Sequence, residues 1–178
     1  MSPKTVHPFL SAVQIAELNR KLGKQICSDY KSLLGPDEHV LIVITLKGAL
    51  QFGADLVREL TIPIHIDFVR AASYGSGTKS SGKIELLKDL EVSTKGLHVL
   101  VLDEIVDSGR TLEFLSKKFQ TQNPKSLRVC ALLNKASRRE VEVKVDYVGM
   151  EVEDKFLIGY GLDFDEKYRN LPDIAYLE

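Results

Sequence analysis

Tryptophan is absent, and cysteine occurs only twice, at Cys27 and Cys130. Two distant cysteines with no CxxC pair exclude a disulfide scaffold and a cysteine zinc site. They read as reduced thiols of a cytoplasmic protein. Neither sign of charge is in excess: 24 Lys+Arg stand against 25 Asp+Glu, for a net charge of −1. No global basic field is there to draw in nucleic acid or anionic lipid. Long apolar runs are also missing. The strongest, residues 40–46, is far too short to span a bilayer, and the N-terminus lacks the apolar core of a signal peptide. No internal repeat or low-complexity tract stands out. What is present is a 178-residue chain, 44% hydrophobic, which suits a single domain over 1–178 with a sizeable core.

The most informative stretch is residues 99–112, VLVLDEIVDSGRTL. Four apolar, mostly branched residues read as a strand buried on both faces, as in a parallel sheet. Asp103, Glu104 and Asp107 follow, then Ser108, Gly109, Arg110 and Thr111; Leu112, Leu115 and Phe119 then recur at helical spacing. Strand, polar turn and helix in that order place the turn at a strand's carboxyl end, where open α/β sheets bind ligands. Gly109 allows close approach of the backbone, and the N–H groups of residues 108–111 point from a helix N-terminus that favours negative charge. Two hydroxyls and Arg110 add donors, so a phosphate fits. The carboxylates just upstream repel a bare phosphate and call for a cation or sugar hydroxyls. The ligand so implied joins phosphate, ribose and Mg²⁺.

The rest of the chain frames this unit. Ser11 and Gln14 form a capping box for a helix over about 12–34, ended by Gly35-Pro36. Residues 40–46 are a second buried strand. Lys47 and Gly48 follow it, then a helix running to about residue 60. An alternating strand spans 64–69. Residues 70–83 read as a Gly/Ser-rich flexible lid, and 83–87 as a strand pairing with 64–69. Residues 77–83, GTKSSGK, have P-loop spacing, but Ile84 replaces the metal-binding Ser or Thr and a strand follows, which argues against that reading. Residues 127–133 are another buried strand with Lys135 at its carboxyl end, 137–144 read as solvated surface, and 146–152 as a short strand.

The 103–111 stretch resembles the signature of the phosphoribosyltransferases, which bind 5-phosphoribosyl-1-diphosphate. Here the acidic pair runs Asp then Glu, the reverse of the order usual in the purine-salvage branch, and Ser108 replaces the usual Thr. Leu46-Lys47-Gly48 matches a diphosphate-binding turn that often carries a cis bond before the lysine. Ser73-Tyr74 matches a pair at the base of the lid. Asp154-Lys155-Phe156 is similar to a segment of the 6-oxopurine enzymes that packs its aromatic on the purine, with backbone groups of the next residue, Leu157, on the base. Lys135, twenty residues before Lys155, matches a lysine that contacts the 6-oxygen. Asp163 matches an aspartate that helps hold metal and base, and Arg169 an arginine on diphosphate.

The resemblance implies a type I phosphoribosyltransferase fold: α/β, with a mainly parallel central sheet flanked by helices (core about 36–150). A small hood subdomain would form from about 150–178 and part of the N-terminus, with a lid at about 70–83. It implies transfer of 5-phosphoribosyl to N9 of a 6-oxopurine such as hypoxanthine or guanine, with Asp107 as base near N7. Asp103, Glu104 and Asp163 would hold Mg²⁺. It further implies a homodimer or homotetramer in the cytoplasm. Xanthine preference, or a nucleotide-sensing regulator on the same fold, remains open from the residues alone.

Overall fold

The computed structural model describes residues 5–73 and 84–178. Tyr74 and the P-loop-like run lie outside the described residues, as does all but the first part of the expected lid. The elements are β1 (Val6–Leu10), α1 (Ala12–Lys31), β2 (Val40–Thr45), α2 (Leu50–Leu56), β3 (Ile64–Ser73), β4 (Ile84–Lys88), β5 (His98–Val106), α3 (Arg110–Gln120), β6 (Ser126–Asn134), β7 (Tyr147–Glu151), β8 (Phe156–Ile158) and β9 (Ile174–Leu177).

Six strands form the central sheet in the order β4-β3-β2-β5-β6-β7. β2 pairs in parallel with β3 and β5, and β6 in parallel with β5 and β7; β4 alone runs antiparallel. The runs are apolar without alternation because both faces are covered. Val40, Ile42, Ile44, Leu100 and Leu102 enter one core with the buried side of α1 and with Phe52 and Leu56 of α2. Leu41, Val43, Val99 and Val101 enter the other with Leu112, Leu115 and Phe119 of α3. A second, antiparallel sheet, β1-β9-β8, closes over the first core. Among the described residues no helix is long and apolar enough to cross a membrane.

Several boundaries differ from the sequence reading. α1 opens with the expected capping box at Ser11 and Gln14 but ends at Lys31. The helix after Gly48 is a two-turn α2 that tightens to a 3₁₀ turn over Val57–Glu59. β4 pairs with the extension of β3 over Arg70–Ser73 rather than with 64–69. The first residues assigned to a lid are therefore sheet, because hydrogen bonding to β4 carries them past the end of the apolar alternation. β5 runs through Asp103 and Glu104 to Val106, so those carboxylates stand on a strand and the polar turn begins after them.

Candidate active site

Three parallel strands end on one rim. β2 delivers Lys47 and Gly48, β5 delivers the acidic pair and the loop to α3, and β6 delivers Lys135. The Leu46–Lys47 peptide bond is cis. Thr45, Leu46, Lys47, Gly48, Asp103, Glu104, Thr111, Asp163 and Arg169 line a cavity of about 270 Å³. Next to it, a smaller space of about 100 Å³ is lined by Asp107, Ser108, Gly109 and Thr111 and shares Asp103 and Thr111 with the first.

Asp103 and Glu104 set the electrostatics of the larger cavity. Thr45 Oγ1 lies 2.5 Å from Asp103 Oδ1, fixing that carboxyl against β2. Burial pushes Asp103 above the ordinary carboxylate range. Burial and then the charge of Asp103 hold Glu104 well above it. Two neighbouring carboxyls, each half-buried, are costly to ionise together, so a cation or polyol partner suits the place. Gly48 is needed beneath them: a Cβ at that position would run into the Glu104 carboxyl.

The smaller space lies where the sequence reading expects an anion cradle. Gly109 stands at the N-cap of α3 with φ +84, a left-handed conformation that side chains rarely adopt. Residues 139–141, part of the 137–144 stretch read from sequence as solvated surface, are docked on this loop. Arg139 Nη1 donates to the Asp107 carbonyl at 3.1 Å, and the Glu140 N–H to the Ser108 carbonyl at 3.0 Å. The Arg110 guanidinium pairs with Glu140 at 2.7 Å, so its charge is directed to that segment.

The other side of the rim carries the groups expected at a base. A chain of alternating charge runs from Asp107 to Arg138 (3.2 Å), Arg138 to Asp154 (3.4 Å) and Asp154 to Lys135 (3.5 Å). Lys135 is only 7% exposed, and the other three side chains are about half-exposed. Phe156, 50% exposed, meets the ring of Phe164 edge-on at 5.6 Å. Leu157 is buried on β8, the edge strand of its sheet, which leaves one side of that backbone clear of strand pairing. The Lys155 ammonium lies 4.4 Å over the Tyr176 ring. Ser73 ends β3 beside β4.

Asp163 and Arg169 meet at 2.8 Å. Arg169 Nη1 also donates to the Gly161 carbonyl at 2.7 Å. Glu166, which sequence reasoning passed over, bridges Lys47 at 2.8 Å and Arg169 at 3.3 Å. Arg138 and Arg139 were also missed as site residues. All are ordinary surface charges by local pattern, and only tertiary proximity marks them out.

Asp103, Glu104 and Asp163 line one cavity. Among the described residues, however, no three His, Cys, Asp or Glu side chains converge tightly enough to hold an ion unaided. Mg²⁺ ordinarily takes one or two carboxylates and completes its shell with water and substrate phosphates. The half-buried acidic pair fits that mode, since a cation beside it relieves the penalty that partial burial imposes.

Comparison with known proteins agrees with this geometry. Residues 10–165 match the phosphoribosyl transferase domain family. The hypoxanthine-guanine phosphoribosyltransferase of Mycobacterium tuberculosis is 44% identical over 171 residues, covering 96% of this chain and 85% of that one. The Bacillus subtilis protein of the same name is 40% identical over 170 residues, covering 96% and 92%. Among solved structures, hypoxanthine phosphoribosyltransferase from Trypanosoma cruzi, in a ternary substrates complex, superposes with a TM-score of 0.90 at 35% identity, covering 97% and 95%. The Staphylococcus aureus hypoxanthine phosphoribosyltransferase superposes at 0.88 with 34% identity, covering 96% and 90%.

Proposed function

The chain belongs to the phosphoribosyltransferase family, and from that premise we propose that it transfers 5-phosphoribosyl from phosphoribosyl diphosphate to N9 of hypoxanthine or guanine. The products are IMP or GMP and diphosphate. The observation that carries this reading is the convergence of cations, half-buried carboxyls, the Gly109 turn at the start of α3 and a buried lysine on one rim of the sheet.

Each group answers a demand of the reaction. Cleavage at an anomeric carbon passes through an oxocarbenium-like state, so the leaving diphosphate needs its charge met. Lys47, Arg169 and the Gly48 backbone stand together for that role. Asp103 and Glu104 would hold the ribose hydroxyls or the metal, and Asp163 lines the same cavity. Mg²⁺, when bound, supplies further charge neutralisation on the diphosphate. Residues 107–111 grip the 5′-phosphate through backbone N–H groups and the Ser108 and Thr111 hydroxyls; Arg110 contributes its N–H. Asp107 receives the purine proton near N7.

Selectivity follows from Lys135, which donates hydrogen bonds and accepts none. It suits a 6-oxo group and rejects a 6-amino group. Phe156 stacks on the ring, Leu157 offers backbone groups to its edge, and Lys155, held over Tyr176, stiffens the segment between.

The test is a spectrophotometric transfer assay with each purine, phosphoribosyl diphosphate and Mg²⁺. Hypoxanthine and guanine are expected to turn over and adenine is not. Absence of nucleotide with either 6-oxopurine, or efficient use of adenine, overturns the reading.

A further inference from the structure

Lys47 and Arg169 reach the same space from distant parts of the chain. Between them stands Glu166, with Oε2 2.8 Å from Lys47 Nζ and Oε1 3.3 Å from Arg169 Nη2. One carboxylate thus spans both cations, as two oxygens of a bound anion would. We propose that Glu166 is a resident stand-in for the leaving group: it competes with diphosphate for Lys47 and Arg169 and thereby sets how tightly diphosphate is held and how fast it departs. This rests on the reading of Lys47 and Arg169 as the diphosphate cations.

Three features support a displaceable role over a fixed structural one. The Glu166 side chain is 62% exposed, so it can swing into water without leaving a hole in the core. Its turn is strained: Asp165, Glu166 and Tyr168 have φ of 54°, 61° and 76°, left-handed values that non-glycine residues rarely adopt. The turn is held by contacts that reach the ligand-binding groups. The Glu166 N–H donates to Asp163 Oδ2 at 2.8 Å, and the carboxylate to cation pairs complete the set. Finally, Arg169 keeps Nε buried with no hydrogen-bond partner among the described residues. Its guanidinium is not saturated by Asp163, Glu166 and the Gly161 carbonyl together.

The charge count gives the arrangement a purpose. The two cations, Lys47 and Arg169, are already matched by Asp163 and Glu166, besides the acidic pair Asp103 and Glu104 of the same cavity, so no excess of positive charge stands open there. An arriving diphosphate must remove Glu166 first, which lowers its net affinity. After transfer, the same carboxylate returns to the cations and hastens product release. A rigid organiser of Lys47 and Arg169 would have the opposite effect on affinity, so the sign of the mutant effect separates the two roles.

The experiment is isothermal titration of inorganic diphosphate with Mg²⁺ into the full chain and three variants: Glu166→Gln, Lys47→Met and the double variant. Glu166→Gln is expected to bind diphosphate at least about threefold more tightly, with a lower KM for phosphoribosyl diphosphate and slower diphosphate release in single-turnover measurements. The double variant is expected to lose most of that gain. Unchanged or weaker binding by Glu166→Gln overturns the proposal even where the Lys47→Met loss shows that the site is correctly placed. Diphosphate binding that is absent from the unmutated chain, or indifferent to Lys47→Met, overturns the diphosphate assignment and this proposal with it.

Discussion

Gly161 lies against the carbonyl oxygen of Gly48, with no room for a β-carbon between them. Gly161 also has φ +98, and its own carbonyl accepts from Arg169 at 2.7 Å. The turn after β8 is in this way seated on the turn after β2, so the two cations at the cavity keep a fixed spacing.

Gly161→Ala removes that seat. The new methyl meets the Gly48 carbonyl and also demands a left-handed conformation, a strain of about 1–3 kcal/mol. A misplacement of about 1 Å can cost on the order of a hundredfold in rate. The KM for phosphoribosyl diphosphate is expected to rise at least about tenfold, with a lower thermal midpoint. Steady-state kinetics and a melting curve check both. An unaltered KM would show that the contact does not govern the diphosphate turn.

Asp107→Ala is expected to cut turnover by at least about a hundredfold, the usual worth of a positioned general base, while IMP binding is largely kept. Arg138 then loses its 3.2 Å partner and keeps only Asp154. Titration of IMP into the variant separates lost chemistry from lost folding. Near-normal turnover removes Asp107 from the role.

Lys135→Gln exchanges a donor-only side chain for one that both donates and accepts. The hypoxanthine-to-adenine ratio of kcat/KM is expected to fall at least about tenfold, because a site built for one hydrogen-bond pattern rejects the other by more than that. Competition between the two purines in one assay gives the ratio directly. A ratio that holds its value places 6-position selection elsewhere.

Away from the site, His98 ties stability to pH. Its ring is buried, Nδ1 lies 2.8 Å from Ser126 Oγ, Glu38 stands 3.7 Å from Nε2, and the Tyr30 ring packs edge-on. Burial, and then the Arg128 guanidinium, lower its pKa. The long contact to Glu38 does not offset the loss of water around the ring. The unfolded chain therefore binds a proton more readily than the fold does, and stability rises with pH through that window. This contribution is full above about 6.5 and is lost as pH falls through the folded value. Urea midpoints are expected to drop from pH 7.5 to pH 5.5, and to drop less in His98→Gln. Equal slopes for the two proteins refute the assignment.

The sheet and the α3 unit were legible because their signals are local. Val40 to Ile44 and Val99 to Leu102 are buried apolar runs, and Leu112, Leu115 and Phe119 repeat on one helical face. The path of β5 through Asp103 and Glu104 was not legible. Carboxyls look like the end of a strand unless the burial that tolerates them is known. Arg138 and Arg139 were read as solvated because a charge pattern does not name a partner some thirty residues earlier. Glu166 offers the extreme case: Lys47 is 119 residues away, and no local spacing connects them.

The strand β9 lies between β1 and β8 and is paired to both. Phe156 is thus backed by residues made last among those described. A polypeptide still emerging from a ribosome would possess the loops after β2 and β5 well before the strand that backs Phe156 existed. The groups on the rim thus arise at separate moments of synthesis, Lys47 first and Arg169 last, and Ile174 to Leu177 follow as the rivet that joins β8 to β1.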